Sequence, residues 1–431
     1  MSTGLGRVRL GPAHLHGSAV VLRPPRFTDF TMWRRLRLRD RALIEPFWHT
    51  SPLEWEQRHT ETLWVRECLE AATAARTGKR IATVIEIDGR FAGQVEIGGI
   101  DQRSRQGEMG IWIDSEVARH GFAGVAVASI LDFGFDVLGL DRITAPISPG
   151  NRAASQGAAQ IWFTREARMV LHFDVGGART DHDLWAMTRA DIPPKGFTET
   201  WIEWVLASRA GPVPPGAALP DRMPAASTIA LVSARYRAGQ LWRSVRRIWP
   251  AGALALPVPG VDGAVLRTLR PADGAAWRAA RRNAIAAGSE FPSSSGHLAW
   301  WREFLRGTAG VRAPNGLLLV IDVDGSYAGE ARLLDLDLFD RRARIQVWAD
   351  PARADDDVRS AALRALLDYA FHDLGLFRVA TEIESGDTAS AAVTARAGLL
   401  KEGTMRGFVG RSGHRTDHDL WAVTTGGAPH A

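Results

Sequence analysis

The chain has 431 residues, more than one ordinary domain holds, and 45% of them are apolar, enough to bury two or three cores. Its 53 basic and 48 acidic side chains leave a formal charge of +5, which gives no ground for a specific nucleic-acid partner. Cys68 is the only cysteine, which excludes intrachain disulfides and cysteine-based zinc sites; with no charged-then-apolar leader and no long uncharged apolar run, a soluble cytoplasmic protein is the expectation.

In chain order, His14 and His16 fall in an N-terminal arm, where solvation is the ordinary fate of such a pair. A strand is expected at Val20 to Arg23, then helices between Asp29 and Arg76. Trp48, Trp55 and Trp64 in that region read as core before they read as a groove. Strands follow at Ile81 to Ile87, Phe91 to Ile97 and Met109 to Asp114, with Asp88-Gly89 a hairpin turn signal. The stretch from Gly107 to Ser155 organises the rest. A strand through Ile111, Trp112 and Ile113 enters a small loop from Ala118 to Gly124, and a helix follows from Val125 to Leu138. Such a turn into a helix N-terminus is an anion site, because unpaired N–H groups and the helix dipole point outward. Gly121 and Gly124 would let a phosphate approach the backbone closely. Another strand runs from Asp141 to Ile147, Asn151 opens a helix from Arg152 to Trp162, and two strands finish the unit.

This stretch resembles the core of the GNAT family of acyl-coenzyme A-dependent N-acetyltransferases. Ala118-Arg119-His120-Gly121-Phe122-Ala123 matches the family's pyrophosphate loop, (Arg/Gln)-x-x-Gly-x-(Gly/Ala), at Gly121 and Ala123 and departs from it at Ala118. L-G-L-D-R-I and P-G-N-R-A-A-S also fit. The opening V-V-L-R-P-P-R-F-T-D and the closing D-H-D-L-W-A-M-T resemble the branch that acetylates ribosomal-protein N-termini. The resemblance covers roughly residues 18 to 193. It implies an α+β fold, a mixed, mostly antiparallel sheet flanked by helices. It also implies acetyl-CoA as co-substrate, held by Ile111, Trp112, Ile113, Arg119, His120, Gly121, Phe122, Ala123, Gly124 and Asn151, with no metal.

The fold is expected twice. R-T-D-H-D-L-W-A begins at Arg179 and again at Arg415, an offset of 415 − 179 = 236, and the same offset relates Trp112 to Trp348. Near the start of each half the offset is 244, as from Trp33 to Trp277. The expected organisation is an acetyl-CoA-binding domain over 1–193, a linker segment over 194–261 and a second, degenerate domain over 262–431. In the linker segment, Gly211 to Pro224 is proline-rich and should be extended. Thr228 to Trp249 reads as a helix with a stripe of Ala238, Leu241, Trp242, Val245 and Trp249 and several arginines. It suits either docking on a domain or contact with an acidic or membrane surface. In the second copy the loop reads Ala354-Asp355-Asp356-Asp357-Val358-Arg359, placing carboxylates where a pyrophosphate would bind. Glu96, Glu108 and Asn151 fall on Arg332, Arg344 and Asp387.

The expected chemistry is attack of a primary amine, perhaps a protein N-terminal α-amine, on the thioester of acetyl-CoA in a ternary complex. The amine must lose a proton, for which Glu96 and Glu108 are the candidate bases. A backbone N–H of the fourth strand could hold the oxyanion. The leaving thiolate needs a proton as well. With only Tyr236, Tyr327 and Tyr369 in the chain, all outside the first copy, Ser155 or a water must serve. Asp181-His182-Asp183 and Asp417-His418-Asp419 invite a metal reading. Their presence in both copies favours a role in the fold. The other class of function these residues leave open is a non-catalytic metabolite sensor or scaffold.

Overall fold

Two-residue hairpins set the frame of the first unit. In the computed structural model, Leu15 pairs with Ser18 across His16-Gly17, both at positive φ (52° and 82°). Asp88-Gly89 turns the same way (49° and 80°), the mirror-image turn whose twist suits flanking strands. The structure describes residues 5–208, 220–246, 252–286, 295–308, 316–409 and 414–425. Contacts group the chain into two units, Met1–Glu166 with Phe173–Gln240, and Ala167–His172 with Leu241–Ala431.

In the first half of the chain, β1 (Leu10–Leu15) and β2 (Ser18–Arg23) lead to α1 (Phe30–Arg39), the short α2 (Arg41–Ile44) and α3 (Glu61–Arg76). The strands β3 (Ile81–Ile87), β4 (Arg90–Asp101) and β5 (Gln106–Ile113) form a meander. Then come α4 (Phe122–Asp132), β6 (Arg142–Ile147), α5 (Arg152–Gln160), β7 (Thr164–Val175), β8 (Ala178–Thr188), α6 (Phe197–Ala207) and α7 (Ala226–Arg246). Of these, β7 gives residues 167–172 and α7 gives residues 241–246 to the second unit. The sheet runs β1-β2-β3-β4-β5-β6-β8 and is antiparallel except for β5 and β6. Each sheet face carries its own core. One is built on α4 with Phe122, Val125, Ile130 and Leu131. The other is built on α1 and α3 with Trp33, Trp55, Trp64 and Trp112.

Three expectations are corrected. The N-terminal arm is strand β1, and His14 lies in its ladder opposite Ala19. Phe122, Ala123 and Gly124 belong to helix α4, which starts earlier than its apolar spacing suggests. The packed part of the first unit runs past residue 193: α6 puts Phe197, Trp201 and Val205 into the α4-side core. Asp132 fixes that helix, accepting from the backbone N–H groups of Phe197 (2.8 Å) and Thr198 (3.0 Å). The stretch from Gly211 to Leu219 lies outside the described residues, as do Arg247 and Trp249. On α7, Leu241 and Trp242 of the expected stripe are exposed, while Val232 is buried. No helix among the described residues is long and apolar enough to cross a membrane.

The second unit repeats the plan. It contains β9 (Ala255–Pro257), β10 (Ala264–Arg267), α8 (Gly274–Ala286), α9 (His297–Thr308), β11 (Leu317–Val323), β12 (Ser326–Asp337), β13 (Arg342–Ala349), α10 (Asp356–Asp368), β14 (Arg378–Glu384), α11 (Thr388–Arg396), β15 (Leu400–Val409) and β16 (Arg415–Thr424). The order is β9-β10-β11-β12-β13-β14-β16-β15, and the one parallel pair is β13 with β14. Both copies bury one arginine between two carboxylates. Arg23 bonds Asp29 (2.8 and 2.9 Å) and Glu86; Arg267 bonds Asp273 (2.7 and 2.8 Å) and Asp322 (2.5 Å). These ties join the second strand to the first helical turn and to the neighbouring strand.

The second copy adds a buried polar centre. Glu330 accepts from Trp277 Nε1 (2.7 Å), the Tyr327 hydroxyl (3.2 Å) and Arg332 (2.6 Å), with Arg281 at 3.4 Å. Burial pushes its carboxyl up, but Arg332 and Arg281 outweigh this and hold it down at about 2 against an ordinary 4.5. A carboxylate lowered in this way stabilises the fold above its unfolded pKa, and the contribution disappears as pH falls through the folded one. Between pH 4.5 and pH 2 the melting temperature of E330Q should therefore fall less steeply than that of the parent. In the first unit, a Cβ at Gly124 would stand 2.0 Å from Trp201 Cε2. Gly124→Ala should cost roughly 2–3 kcal/mol in denaturant unfolding through this overpacking.

Candidate functional site

The site begins where two strands part. β5 and β6 pair in parallel only at Gln106 with Arg142, Gly107 with Ile143 and Glu108 with Thr144. Above that point β5 keeps its ladder to β4 up to Ile113, and β6 keeps its ladder to β8 up to Ile147. Asp114 donates its N–H to Ala92 (2.7 Å), and the Thr144 hydroxyl donates to the Gly107 carbonyl (3.4 Å). Alternation along an antiparallel strand then turns the C=O of Met109 and the N–H and C=O groups of Ile111 and Ile113 towards the gap. Trp112 is set apart from its neighbours. Its backbone belongs to the β4 ladder, and its indole lies on the other sheet face, donating to Gln94 Oε1 (2.8 Å).

The loop at the mouth of the gap is anchored from α1. Arg39 bonds Asp40 (2.8 Å) and Asp114, and Asp40 accepts from the Ser115 N–H (3.0 Å). Arg119 and His120 lie in a single helical turn, and Gly121 follows in the left-handed region at φ 85°. A Cβ there would meet Val205 Cγ1 at 2.9 Å. Trp201 Nε1 donates to the Gly121 carbonyl (2.9 Å). So both loop glycines make room for α6. The end of α4 has no capping side chain, because its N-cap residue is Gly121. Phe122 and Ala123 can offer only their backbone N–H groups, since the Phe122 ring is fully buried. Asn151 is the N-cap of α5, accepting from Ala154 N (3.1 Å), and its counterpart Asp387 caps α11 by accepting from Ser390 N (2.9 Å).

Of the expected chemical groups, Glu96 and Glu108 share a sheet face with Gly110, which stands opposite Glu96 in the ladder. Glu96 is paired with Arg80 Nε (3.0 Å) and half-exposed, while Glu108 is exposed at the last pair before the strands part. Ser155 lies in the first turn of α5, its hydroxyl buried without a hydrogen-bond partner. His182 and His418 behave alike in the two copies: each ring Nδ1 lies 3.1 Å from a threonine carbonyl, Thr180 or Thr416, and each packs on a phenylalanine. Asp183 is paired with Arg165 (3.0 Å). Among the described residues no cluster of His, Cys, Asp or Glu is arranged to hold a metal.

Sequence reasoning missed the residue beneath this face. The Arg37 side chain is buried, at 2% exposure, between the rings of Trp48 (3.7 Å) and Trp112 (4.3 Å). Its Nε and Nη1 have no acceptor. Burial draws the guanidinium down to about 9, opposed by Glu67 and Glu96. Glu67 is raised by burial and accepts from Gln94 Nε2 (2.7 Å). Trp48 is held in place through its backbone, where Gly176 donates to its carbonyl (3.0 Å) and Thr50 N donates to Asp174 (3.0 Å).

The second copy closes each of these features with its own charges. Asp355 caps α10, accepting from Asp357 N (3.0 Å) and Val358 N (2.9 Å). The parting of β13 and β14 is bridged by Arg344 and Glu382 (3.3 Å). Arg281 faces Glu330 where Arg37 has Gln94. A cavity of about 420 Å³ does lie at the α10 end, lined by Ala349, Pro351 and residues 354–357 with Arg359. Three of those lining residues are aspartates.

Comparison with known proteins agrees with the geometry. The sequence profile of the acetyltransferase (GNAT) domain matches residues 19–161 and 264–400. The putative ribosomal N-acetyltransferase YdaF of Bacillus subtilis is 38% identical over 92 residues, 21% of this chain and 50% of that protein. The probable N-acetyltransferase YjcK of the same organism is 33% identical over 81 residues, 19% of this chain and 45% of that protein. The matched stretches thus span about half the length of these curated relatives. Among solved structures, Mycobacterium smegmatis RimJ in complex with CoA-disulfide is 32% identical, covering 48% of this chain and 97% of that one, with a TM-score of 0.45. The chain belongs to the GNAT acetyltransferase family and carries the family's domain twice.

Proposed function

We propose that the first copy transfers an acetyl group from acetyl-CoA to a primary amine, the α-amine of a protein N-terminus being the favoured acceptor. The observation that carries this is the open gap between β5 and β6 with the uncapped end of α4 at its mouth. The first-turn N–H groups of α4 suit a pyrophosphate. The outward C=O of Met109 and the N–H and C=O groups of Ile111 and Ile113 suit an extended chain of amides laid along the strand edge. The acceptor class is read from the name of one relative, the putative ribosomal N-acetyltransferase YdaF.

In this reading Glu96 and Glu108 flank the place above Gly110 where an incoming amine stands, and one of them takes its proton. The N–H of Ile111 faces the gap and supplies a donor for the carbonyl oxygen as the amine nitrogen bonds to the acyl carbon. The carbon–sulfur bond then breaks. The Ser155 hydroxyl, which lacks a partner in the fold, supplies the hydrogen bond to the departing sulfur. Asn151 orders the turn that presents it. The second copy positions or supports and does not bind the co-substrate.

Isothermal titration of the full chain with acetyl-CoA should give a stoichiometry near one. Ala123→Asp puts a carboxylate among the open N–H groups of α4 without straining Gly121, and should weaken binding at least about tenfold while the melting temperature holds. Two sites would mean that Asp355 does not close the second copy, and no binding would favour a scaffold. With a peptide acceptor, E96Q and E108Q assign the base: its loss should lower kcat by roughly 10²–10⁴ and leave the KM for acetyl-CoA nearly unchanged.

A further inference from the structure

We infer that Arg37 is an anion-binding group of the acceptor site and that the acceptor carries a carboxylate close to its reacting amine. The inference rests on the amine-transfer reading above for the identity of the ligand, but not for the existence of the subsite.

A guanidinium has five donors in a planar fork, and a buried one ordinarily spends them on carboxylates or carbonyls. Arg37 is 2% exposed, and its Nε and Nη1 meet no acceptor among the described residues. Its guanidinium stacks on Trp48 and Trp112, which leaves the plane of the fork as the direction for an acceptor. Gln94 cannot help. Its amide nitrogen is used by Glu67 and its oxygen by Trp112. Leaving such donors unmet is costly, and a buried group of this kind points to a partner that arrives from outside.

The other copy shows that the position does not demand this. Arg281, the counterpart of Arg37, stacks on Trp277 (3.9 Å) and faces Glu330, the counterpart of Gln94. There a carboxylate stands 3.4 Å from the arginine's Nη2. The first copy has a neutral amide in that place, and Glu67 and Glu96 act on Arg37 without a hydrogen bond to it. A carboxylate is the natural occupant, since it can accept from two edges of the fork at once.

The placement along β5 sets the spacing. Trp112, Gly110 and Glu108 occupy successive positions on one face, so the Arg37 stack lies about 7 Å from the place above Gly110 where the amine would react. In an extended peptide that span reaches the second or third residue from the amino terminus. The expected acceptor is a peptide with aspartate or glutamate at one of those positions.

The test uses the full chain and two fluorophore-tagged pentapeptides with free amino termini. They are alike except that positions two and three are glutamate in one and glutamine in the other. Fluorescence polarisation should show the glutamate peptide binding about 10- to 100-fold more tightly. Arg37→Met should reduce it to the level of the glutamine peptide. Gln94→Glu should do the same while the arginine remains and the fold is kept, because it installs the carboxylate that the second copy already carries; its melting temperature serves as the control. Equal affinity for the two peptides, binding of neither, or a preference that survives in both variants would overturn the inference. None of these readouts needs acetyl-CoA, so failure of the titration described above and failure of this subsite are separate results.

Discussion

A parallel pair of strands that holds for three residues and then parts is the constraint on which the rest of the first copy depends. Everything placed around the gap follows from it. Arg142, fully buried and paired with Glu166, fixes the lower end of β6. Higher up, β6 continues against β8, with Pro146, which has no N–H to give, opposite Leu184. Beyond Glu108 the edge of β5 has no further ladder pair with β6. Because α4 starts just beyond, its N-terminus is carried to the same opening. A sheet split on one side and a helix end pointing at the split are a single geometric event, and a ligand with an anionic end and an amide-bearing chain matches both parts.

The parting alone does not distinguish the two copies, since β13 and β14 separate after three pairs as well. What differs is the treatment of charge. The second copy supplies its own carboxylate to a helix end, its own ion pair across the split and its own counterion to the buried arginine. The first copy leaves each of the three incomplete. A fold can be retained through such exchanges because the ties that hold it lie elsewhere. The Arg23–Asp29–Glu86 and Arg267–Asp273–Asp322 groups are present in equivalent form in both copies, and so are the caps on α5 and α11.

Local signals made the frame legible in the sequence. Asp88-Gly89 announced its hairpin, the offset of 236 announced the second copy, and the aspartates before α10 announced a self-capped end. The losses have physical reasons. β1 is short, contains Gly11 and Pro12, and alternates weakly; its clue was His16-Gly17, a pair able to take up positive φ. Helix α6 lies past the matching motifs, though Phe197, Trp201 and Val205 at four-residue spacing marked its packed face. Arg37 stood in a run with Arg34, Arg35 and Arg39, which reads as a solvated helix face. Its burial is produced by Trp48, on a loop far along the chain from the Gly176 turn that pins it, and no local pattern reports a contact of that range. The role of Gly124 was misjudged for the same reason: the space beside it is filled by a residue 77 positions later, Trp201.

The self-capped end of α10 has a consequence for how the two halves respond to their surroundings. A helix terminus completed by Asp355 has its ion built in at one fixed concentration, that of the chain itself. A terminus with no capping side chain, as on α4, becomes complete only when something from solution fills it, and any species that does so adds stability in proportion to RT ln(1 + [L]/Kd). On the proposed reading, the resistance of the first half to unfolding and proteolysis would rise and fall with the supply of its ligand, whereas the cap on α10 is set once, by the sequence.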